Sequence, residues 1–403
     1  MRRRYIGFAG SALAILFVLG TAKPAAAEPA PSPCNVARAA VLTVSLPAHP
    51  FAAIPSADGC TIYVSLMGQQ GAHGAGAIAV LKRSDGLMSA ERAVKLDAAP
   101  SGMALTHDGT LLIAASGDGV TFLDTARMGP DDNPVLGHLD DGGRNAIYVA
   151  VTPDDRFVFV SDERSATLTA IDLTKARSSG FGSDAIVGQI PVGRAPVGLA
   201  FSPDGHVLYS TSEVAPPSDW PGGCKPEGRG GEHHQGAIIA VDVLRAESDP
   251  AGSVLRRIPG GCNPVRVALS PAGDRLYATA RDSNALLVFD TAKLLSGAMD
   301  SLIASITVGA SPVGVLATGD GTKIIVTNSD RFSSSGRSEN QTLCVVDAAK
   351  VSAGADAVLG TVEVGGFPRE LRLTADGKTL LVTNFGTNSL SLIDLARLPL
   401  TPK

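Results

Sequence analysis

The stretch GASPVGVLATGDGTKIIVTN, residues 309–328, places two short apolar segments on either side of a Gly-Asp-Gly turn. Such a turn suits a hairpin, because glycine accepts a positive φ and aspartate bonds its own local backbone. Pro312 stands at the start of the first segment, where a strand loses no interior ladder bond to proline. The stretch therefore predicts two antiparallel strands that follow a Gly-x-x-Pro approach.

The same pattern occurs seven times along the chain. In order, the turn and second strand read SADGCTIYV from Ser56, THDGTLLIA from Thr106, TPDDRFVFV from Thr152, SPDGHVLYS from Ser202, SPAGDRLYA from Ser270, TGDGTKIIV from Thr318 and TADGKTLLV from Thr374. Further apolar segments follow each copy, which gives units of four strands, named A to D. Third segments such as ALLVFDT lack clean alternation, as expected for strands buried on both faces. Seven four-stranded units predict an all-β fold, a seven-bladed β-propeller.

The two ends of the repeat array indicate how the ring closes. The last unit ends after its third strand, near Leu395, and an unassigned strand over residues 40–46 precedes the first unit. We expect this N-terminal strand to complete the last blade, because a linear array would leave both edges unpaired.

The repeats also carry a family resemblance. The sequences IVTN at 325–328 and LVTN at 381–384, with the Ser-Pro-Asp-Gly turn at 202–205, resemble the YVTN repeat family of bacterial β-propellers. That family is related to the lactonase-like propellers, and the resemblance covers about residues 41–398. It implies the fold but no activity, because this scaffold carries enzymes, binding proteins and interaction modules.

The first residues have the pattern of a targeting segment. Three arginines, an apolar run over 6–20 and Ala25-Ala26-Ala27 predict a cleaved secretory signal peptide and a periplasmic or secreted protein. We find no later segment long and apolar enough to span a membrane. The predicted divisions are a signal peptide over 1–27, an N-terminal extension over 28–39, the propeller over 40–398 and a C-terminal tail over 399–403.

The charge balance narrows the choice of partner. The formal net charge is −5, and it becomes −9 when the four basic residues of the predicted signal peptide are subtracted. An acidic protein does not favour phosphate backbones, so nucleic acid is a poor partner. A small-molecule ligand or a protein partner fits the composition better.

Four of the five cysteines fall into two pairs by propeller face. In a propeller, A–B and C–D loops share one face, and B–C and D–A loops share the other, where ligands usually bind. Cys34 and Cys60 approach the first face, whereas Cys224 and Cys262 approach the second. Sequence alone leaves three connectivities open, but the face argument favours the disulfides Cys34–Cys60 and Cys224–Cys262 in an oxidising compartment. Cys344, in LCVVDAA, is expected to be a buried thiol that packs as a small hydrophobe.

Histidines on the B–C/D–A face are candidate metal ligands. The set comprises His49, His73, Glu232, His233 and His234. Imidazole suits zinc or copper, often with a carboxylate, so this set would ligate a divalent metal. Adjacent histidines in a strand point to opposite faces, so the alternative is a solvated polar turn.

Polar residues near the starts of the inner strands are candidate ligand-binding groups. They are Asn145, Arg194, Asn263, Arg266, Arg369 and Glu370, with Arg144 and Arg372 close by. Arginine forks match carboxylates and phosphates, so such a ring can hold an anion. The alternative is that Arg–Glu pairs fill a polar, water-filled channel. The long B–C loop of blade four, residues 219–236, adds Trp220 as a candidate aromatic contact.

No catalytic motif is evident, since the chain lacks a G-x-S-x-G elbow and an HExxH sequence. Resemblance to lactonases implies a His-Pro-Arg-His type sequence, where this chain has only AHPF at 48–51. The candidate catalytic residues are Glu370, Arg266 and Arg369, and a calcium-dependent lactonase would draw on Glu370, Asn145, Asn263 and Asn384.

We therefore interpret the sequence as a propeller that binds a small ligand or a protein partner on its B–C/D–A face without catalysis. The alternatives are a lactonase-like hydrolase at the channel mouth, with calcium as one possible metal, and an accessory protein of a metal or redox system.

Overall fold

The strands follow the predicted repeat. A computed structural model describes residues 34, 39–68, 74–84, 87–215, 224, 235–331 and 341–402. Its strands are β1 (Val41–Ser45), β2 (His49–Pro55), β3 (Thr61–Met67), β4 (Gly76–Ser84), β5 (Leu87–Leu96), β6 (Pro100–Leu105), β7 (Leu111–Ser116), β8 (Gly119–Asp124), β9 (Val135–Asp140), β10 (Ala146–Val151), β11 (Phe157–Asp162), β12 (Thr167–Asp172), β13 (Ile186–Pro191), β14 (Arg194–Phe201), β15 (Val207–Val214), β16 (Gln235–Asp242), β17 (Val254–Cys262), β18 (Pro264–Leu269), β19 (Arg275–Ala280), β20 (Ala285–Asp290), β21 (Leu302–Thr307), β22 (Pro312–Ala317), β23 (Lys323–Asn328), β24 (Thr342–Asp347), β25 (Val358–Glu363), β26 (Pro368–Leu373), β27 (Thr379–Asn384) and β28 (Ser389–Asp394).

Short helices occupy some of the connections between the third and fourth strands of a blade. The α-helices are α1 (Leu173–Ser179), α2 (Val243–Ala246) and α3 (Thr291–Ser296). Segments of 3₁₀-helix cover Thr125–Arg127, Ser183–Ala185, Pro250–Gly252, Arg281–Ser283, Ala348–Ala357 and Leu395–Arg397. An aspartate that ends the third strand caps each α-helix, as when the Asp290 side chain accepts from the backbone N–H of Lys293. Within the described residues, no helix is long and apolar enough to cross a membrane.

The described strands form seven antiparallel sheets of four strands each, so the predicted propeller is confirmed. Blades one to six take four consecutive strands each, from β2–β5 to β22–β25. Blade seven is formed by β26, β27, β28 and β1, with Val41 opposite Ile393 and Ser45 opposite Ser389. The N-terminal strand therefore closes the ring as predicted. All of this lies in the unit Ser32–Lys403, and the predicted signal peptide lies outside the described residues.

Each A–B turn uses the same polar chemistry. In blade six, the Thr318 hydroxyl donates to the Asp320 carboxylate at 2.5 Å, and the Gly321 N–H donates to the Thr318 carbonyl at 2.8 Å. Gly321 has a φ of +68°, which a residue without a Cβ adopts at low cost. Blade three has Asp155 at the equivalent place, with a φ of +57°, and its carboxylate accepts from the backbone of His107 at 2.8 Å.

In most blades, a hydroxyl group on the second strand links the first, innermost strand to that of the next blade. Every A–B pair has a register shift close to the start of its inner strand. In blade four, the Gly198 N–H beside this shift donates to Oγ1 of Thr211 at 2.8 Å, and that hydroxyl donates to the Val265 carbonyl of blade five at 2.9 Å. Thr383 bridges blade seven to Phe51 of blade one in the same way, at 3.0 Å. Thr383, the threonine of the second VTN sequence, is therefore an interblade hydrogen-bonding group.

Both predicted disulfides are confirmed. Cys34 and Cys60 are bonded with their Cα atoms 5.0 Å apart, and Cys224 and Cys262 are bonded with a Cα separation of 5.6 Å. Cys262 is the last residue of β17 rather than part of a loop. Cys344 belongs to neither disulfide and is fully buried in β24, as expected.

Candidate binding site in the central channel

The seven inner strands surround a cavity of about 580 Å³. Its wall reaches from the side chains of Tyr148, Arg266 and Glu370 to the A–B turns, where Ser56 and His107 line it. A volume of this size lies within the usual range for small-molecule sites. The cavity therefore extends toward the A–B face, opposite the B–C/D–A face on which the sequence placed the ligand.

Three large polar residues lie at the same position along their inner strands and line the channel. They are the third residues of β10, β18 and β26, namely Tyr148, Arg266 and Glu370. The third residue of β6 is Gly102, at which a Cβ would overlap Cδ2 of the Tyr148 ring. The absence of a side chain at Gly102 therefore gives the Tyr148 ring its space. We call Tyr148, Arg266, Glu370 and the neighbouring Arg372 the polar floor of the cavity.

Tyr148 and Glu370 form a short hydrogen bond across the channel. The Tyr148 hydroxyl donates to Oε1 of Glu370 at 2.5 Å, and Nη2 of Arg372 lies 3.4 Å from the same oxygen. Burial raises the pKa of Tyr148, and the Glu370 charge raises it further, so the phenol remains a donor at neutral pH. Glu370 is thus held by two partners through one of its oxygens.

Arg266 is the arginine of the polar floor for which the described residues supply no ion pair. Its guanidinium carbon lies 4.5 Å from the centroid of the Tyr148 ring, and the residue is only 6% exposed. Among the residues that the structure describes, its Nε and Nη1 have no hydrogen-bond partner, and no carboxylate lies within ion-pair distance. A buried guanidinium is ordinarily paired with an acid, because desolvating an unpaired charge is costly. Arg266 therefore has the chemistry of a site that awaits an anion.

Arg369 is stacked among aromatic rings rather than paired with an acid. Its guanidinium carbon lies 3.9 Å from the centroid of Phe51 and 5.3 Å from that of Phe385. Desolvation, reinforced by the positive charges of Arg266 and Arg331, lowers the pKa of Arg369. The lowered pKa, about 9, still leaves the group charged at neutral pH. Arg369 is not among the described residues that line the cavity, and its guanidinium is covered by aromatic rings.

The other predicted binding residues are not among the described residues that line the cavity. Asn145 and Asn263 are buried, and their side-chain amides donate to the carboxylates of Glu163 and Asp282. Arg194 is exposed at the start of β14. Of the six candidate ligand-binding residues near the starts of the inner strands, therefore, only Arg266 and Glu370 line the cavity.

Asn384, a candidate for a calcium site, lies apart from these residues. It is fully buried in blade seven, where Nδ2 donates to the hydroxyl of Ser391 at 2.9 Å. This hydrogen bond gives Asn384 a role in blade packing.

The candidate metal ligands are only partly described. His49 stacks on Phe385 with the ring centroids 4.7 Å apart, and its Nδ1 lies 2.8 Å from the Phe385 carbonyl, to which it must donate. Within the described part of the chain, no cluster of three His, Cys, Asp or Glu residues is arranged to hold a metal. The remaining metal candidates, His73, Glu232, His233 and His234, lie outside the described residues, as does Trp220.

The site candidates from the sequence do not include a second buried pair of polar residues, two aspartates. Asp141, after β9, and Asp162, at the end of β11, are 1% and 0% exposed, and their carboxyls contact each other. Thr169 donates to Asp162 at 2.6 Å, and the Gly143 N–H donates to Asp141 at 2.8 Å. Burial raises the pKa of both carboxyls, and the charge of Asp141 raises that of Asp162 further. The pair is therefore harder to ionise than two separate, exposed aspartates.

Tyr148 and Asp162 each had a weak sequence signal. Asp162 stands where blades six and seven carry the asparagine of VTN, which places an acid at a buried position. Tyr148 is the aromatic residue in the inner strand AIYVAV, where blade six has glycine. Neither signal identifies the partner, because the partners lie in other blades.

Comparison with known proteins shows the fold and no more. No family model and no curated protein matches the chain. Among solved structures, it resembles a hydrazine synthase structure from Kuenenia stuttgartiensis at 16% identity and a TM-score of 0.65, covering 88% of this chain and 97% of that one. A mitotic checkpoint complex structure matches at 13% identity and a TM-score of 0.64, covering 93% and 99%. A putative 6-phosphogluconolactonase from Bacteroides uniformis ATCC 8492 matches at 16% identity and a TM-score of 0.58, covering 81% and 90%. The chain is thus a seven-bladed β-propeller with distant lactonase-like and other propeller neighbours.

Proposed function

We propose that this protein is a non-catalytic binding propeller that holds a small anionic ligand in its central channel. The observation that carries the proposal is Arg266, a buried guanidinium with unused donors on the wall of a cavity of about 580 Å³. Arginine forks bind carboxylates and phosphates through paired N–H donors. The ligand then lies between the two faces of the ring, in contact with Arg266 near the B–C/D–A end of the channel.

In this binding role Glu370 holds the polar floor together, because one of its oxygens accepts from Tyr148 and lies beside Arg372. Its other oxygen, Oε2, is buried and has no hydrogen-bond partner among the described residues. Lactonase-like hydrolysis, a metal or redox role and a protein partner on the B–C/D–A face stay predictions of the sequence.

We further propose that the protein works in the periplasm or outside the cell. Two disulfides support this, because disulfides persist in oxidising compartments. The predicted signal peptide supports the same location.

Thermal unfolding in a panel of anions tests the proposed function. Acetate, octanoate, phosphate and sulfate are added separately at matched ionic strength, and a bound anion raises the melting temperature by mass action. We expect at least one anion to stabilise the wild type in a concentration-dependent way. Arg266→Gln, which removes the charge, should abolish the effect. Arg127→Gln changes an exposed arginine outside the cavity and should preserve it. Equal responses of all three proteins would contradict the proposal.

A further inference from the structure

The charges around the cavity limit the charge of its ligand. Among the described residues that line it, Arg266 and Arg372 are cationic, Glu370 is anionic and His107 is the remaining titratable group apart from Tyr148. The two arginines and the glutamate together carry one net positive charge. A single negative charge neutralises it, whereas a dianion would leave one charge unbalanced in a partly desolvated site.

The wall between the polar floor and the A–B turns is apolar. It is lined by aliphatic residues of the inner strands, including Ala104, Ala150, Ala200, Ala268, Leu316 and Leu373. These residues are half-buried, so they face open space in the channel. An apolar group against this wall is removed from water, whereas a second charged group there would lose its hydration without a partner.

The two ends of the cavity fix the orientation of the ligand. The unused donors of Arg266 lie at the polar floor, and the A–B turns with Ser56 and His107 lie at the other end. A molecule with one anionic end therefore places that end on Arg266 and its apolar body toward the A–B face.

We infer that the ligand is an aliphatic monocarboxylate, bound with its carboxylate on Arg266 and its hydrocarbon chain along the alanine-rich wall. This inference rests on the proposed function and names the ligand class for the same cavity. A planar carboxylate matches the guanidinium fork and supplies the single charge that the lining lacks.

Calorimetric titration with three carboxylates tests the inference. Octanoate and butanoate differ only in chain length, and succinate matches butanoate in carbon number but carries a second charge. Each buried methylene strengthens binding about fourfold. We expect octanoate to bind at least tenfold more tightly than butanoate, and succinate to bind no more tightly than butanoate.

Two variants locate the two halves of the ligand. Arg266→Gln should weaken octanoate and butanoate alike, by roughly tenfold or more, because a hydrogen bond to a charged group is lost. Ala200→Leu fills part of the apolar wall, so it should weaken octanoate more than butanoate. Arg127→Gln serves as the matched control, and each variant is first checked for an unchanged fold by circular dichroism.

The outcomes separate the inference from the proposed function. The monocarboxylate inference would be wrong if succinate bound more tightly than butanoate, or if octanoate bound no more tightly than butanoate. Either result would leave the proposed anion-binding site intact. If phosphate or sulfate stabilises the protein through Arg266 and no carboxylate binds, the inference also falls alone. If no anion shows a dependence on Arg266, both the inference and the proposed function are wrong.

Discussion

At the scale of single residues, Arg266 combines burial, positive charge and unused hydrogen-bond donors. Its contact with the Tyr148 ring offsets part of the desolvation cost, since a cation over an aromatic ring is worth about 0.5–2 kcal/mol. The remainder reduces the stability of the ligand-free protein. Residues kept at a cost to folding stability are typical of binding sites, where a ligand restores the balance.

This view predicts that Arg266→Met stabilises the ligand-free protein. Methionine fills similar space without a charge to desolvate, so the free energy of unfolding should rise by about 1–2 kcal/mol. Urea unfolding monitored by circular dichroism measures the change. Arg127→Met, at an exposed arginine, should change stability little. A destabilised Arg266→Met would show that the guanidinium is already well satisfied without a ligand.

At the scale of strands and blades, the structure rests on a repeated hydrogen bond. A hydroxyl of the second strand accepts from the bulged inner strand of its own blade and donates to the inner strand of the next one, as Thr211 does. Blade two has Ala115 at this place, between Ala114 and the Ser116 that ends β7. The bond therefore fixes the spacing between neighbouring blades in most, but not all, positions around the ring.

Replacing this hydroxyl tests its contribution. Thr211→Val keeps the shape but leaves the Gly198 N–H and the Val265 carbonyl without the bond, at a cost of about 1–3 kcal/mol in unfolding free energy. Thr307→Val, at an exposed position of β21, should cost little by comparison. Chemical denaturation of both variants gives the two changes in unfolding free energy. Equal changes would show that the Thr211 hydroxyl does not stabilise the contact between blades.

The seam between blades two and three predicts a specific dependence of stability on pH. The raised pKa values of Asp141 and Asp162 mean that the folded state binds more protons than the unfolded chain between about pH 4 and neutral pH. The free energy of unfolding contributed by this pair therefore falls as pH rises through that window. Replacing one of the two carboxyls should abolish this decrease in the free energy of unfolding.

Asp162→Asn provides the test, because an amide at this position can donate to Asp141 at every pH. We expect the variant to equal the wild type near pH 5 and to be more stable at pH 8. Asp97→Asn, at an exposed carboxyl, should follow the wild type at both values. If Asp162→Asn is instead less stable than the wild type at pH 8, the two carboxyls do not repel each other there.

At the scale of the whole molecule, ring closure depends on the first strand. Strand β1 completes blade seven, and the Cys34–Cys60 disulfide ties the segment before it to the first A–B turn of blade one. By pairing with β28, strand β1 gives blade seven the same four strands as the other blades and covers an edge that would otherwise be exposed. The disulfide therefore reinforces the junction between the first and last blades.

Removing this disulfide should lower the stability of the whole ring. Cys34→Ser/Cys60→Ser releases a link across 26 residues and should cost about 2–4 kcal/mol in unfolding free energy. Cys224→Ser/Cys262→Ser is the comparison, since it leaves the tether of β1 intact. An unchanged melting temperature in the first variant would mean that β1 holds the ring closed by its ladder alone.

The sequence predicted most of the fold and less of the site. The blades, the closing strand and both disulfides follow from local repeats and from loop positions on two faces. Arg266 and Glu370 were also found, because their types and strand positions indicate a channel. The bond between Tyr148 and Glu370 joins residues 222 positions apart, and no local pattern encodes such a contact. The extension of the cavity toward the A–B turns depends on side-chain size around the entire ring.

If Arg266 is retained for a ligand at a cost to stability, octanoate should reverse the order of stability of the wild type and Arg266→Met. The most direct measurement is the melting temperature of the wild type and of Arg266→Met across an octanoate titration. We expect the variant to have the higher melting temperature without octanoate, and the wild type to have the higher melting temperature at high octanoate concentration. Parallel plots of melting temperature against octanoate concentration, with no stabilisation specific to the wild type, would contradict this expectation.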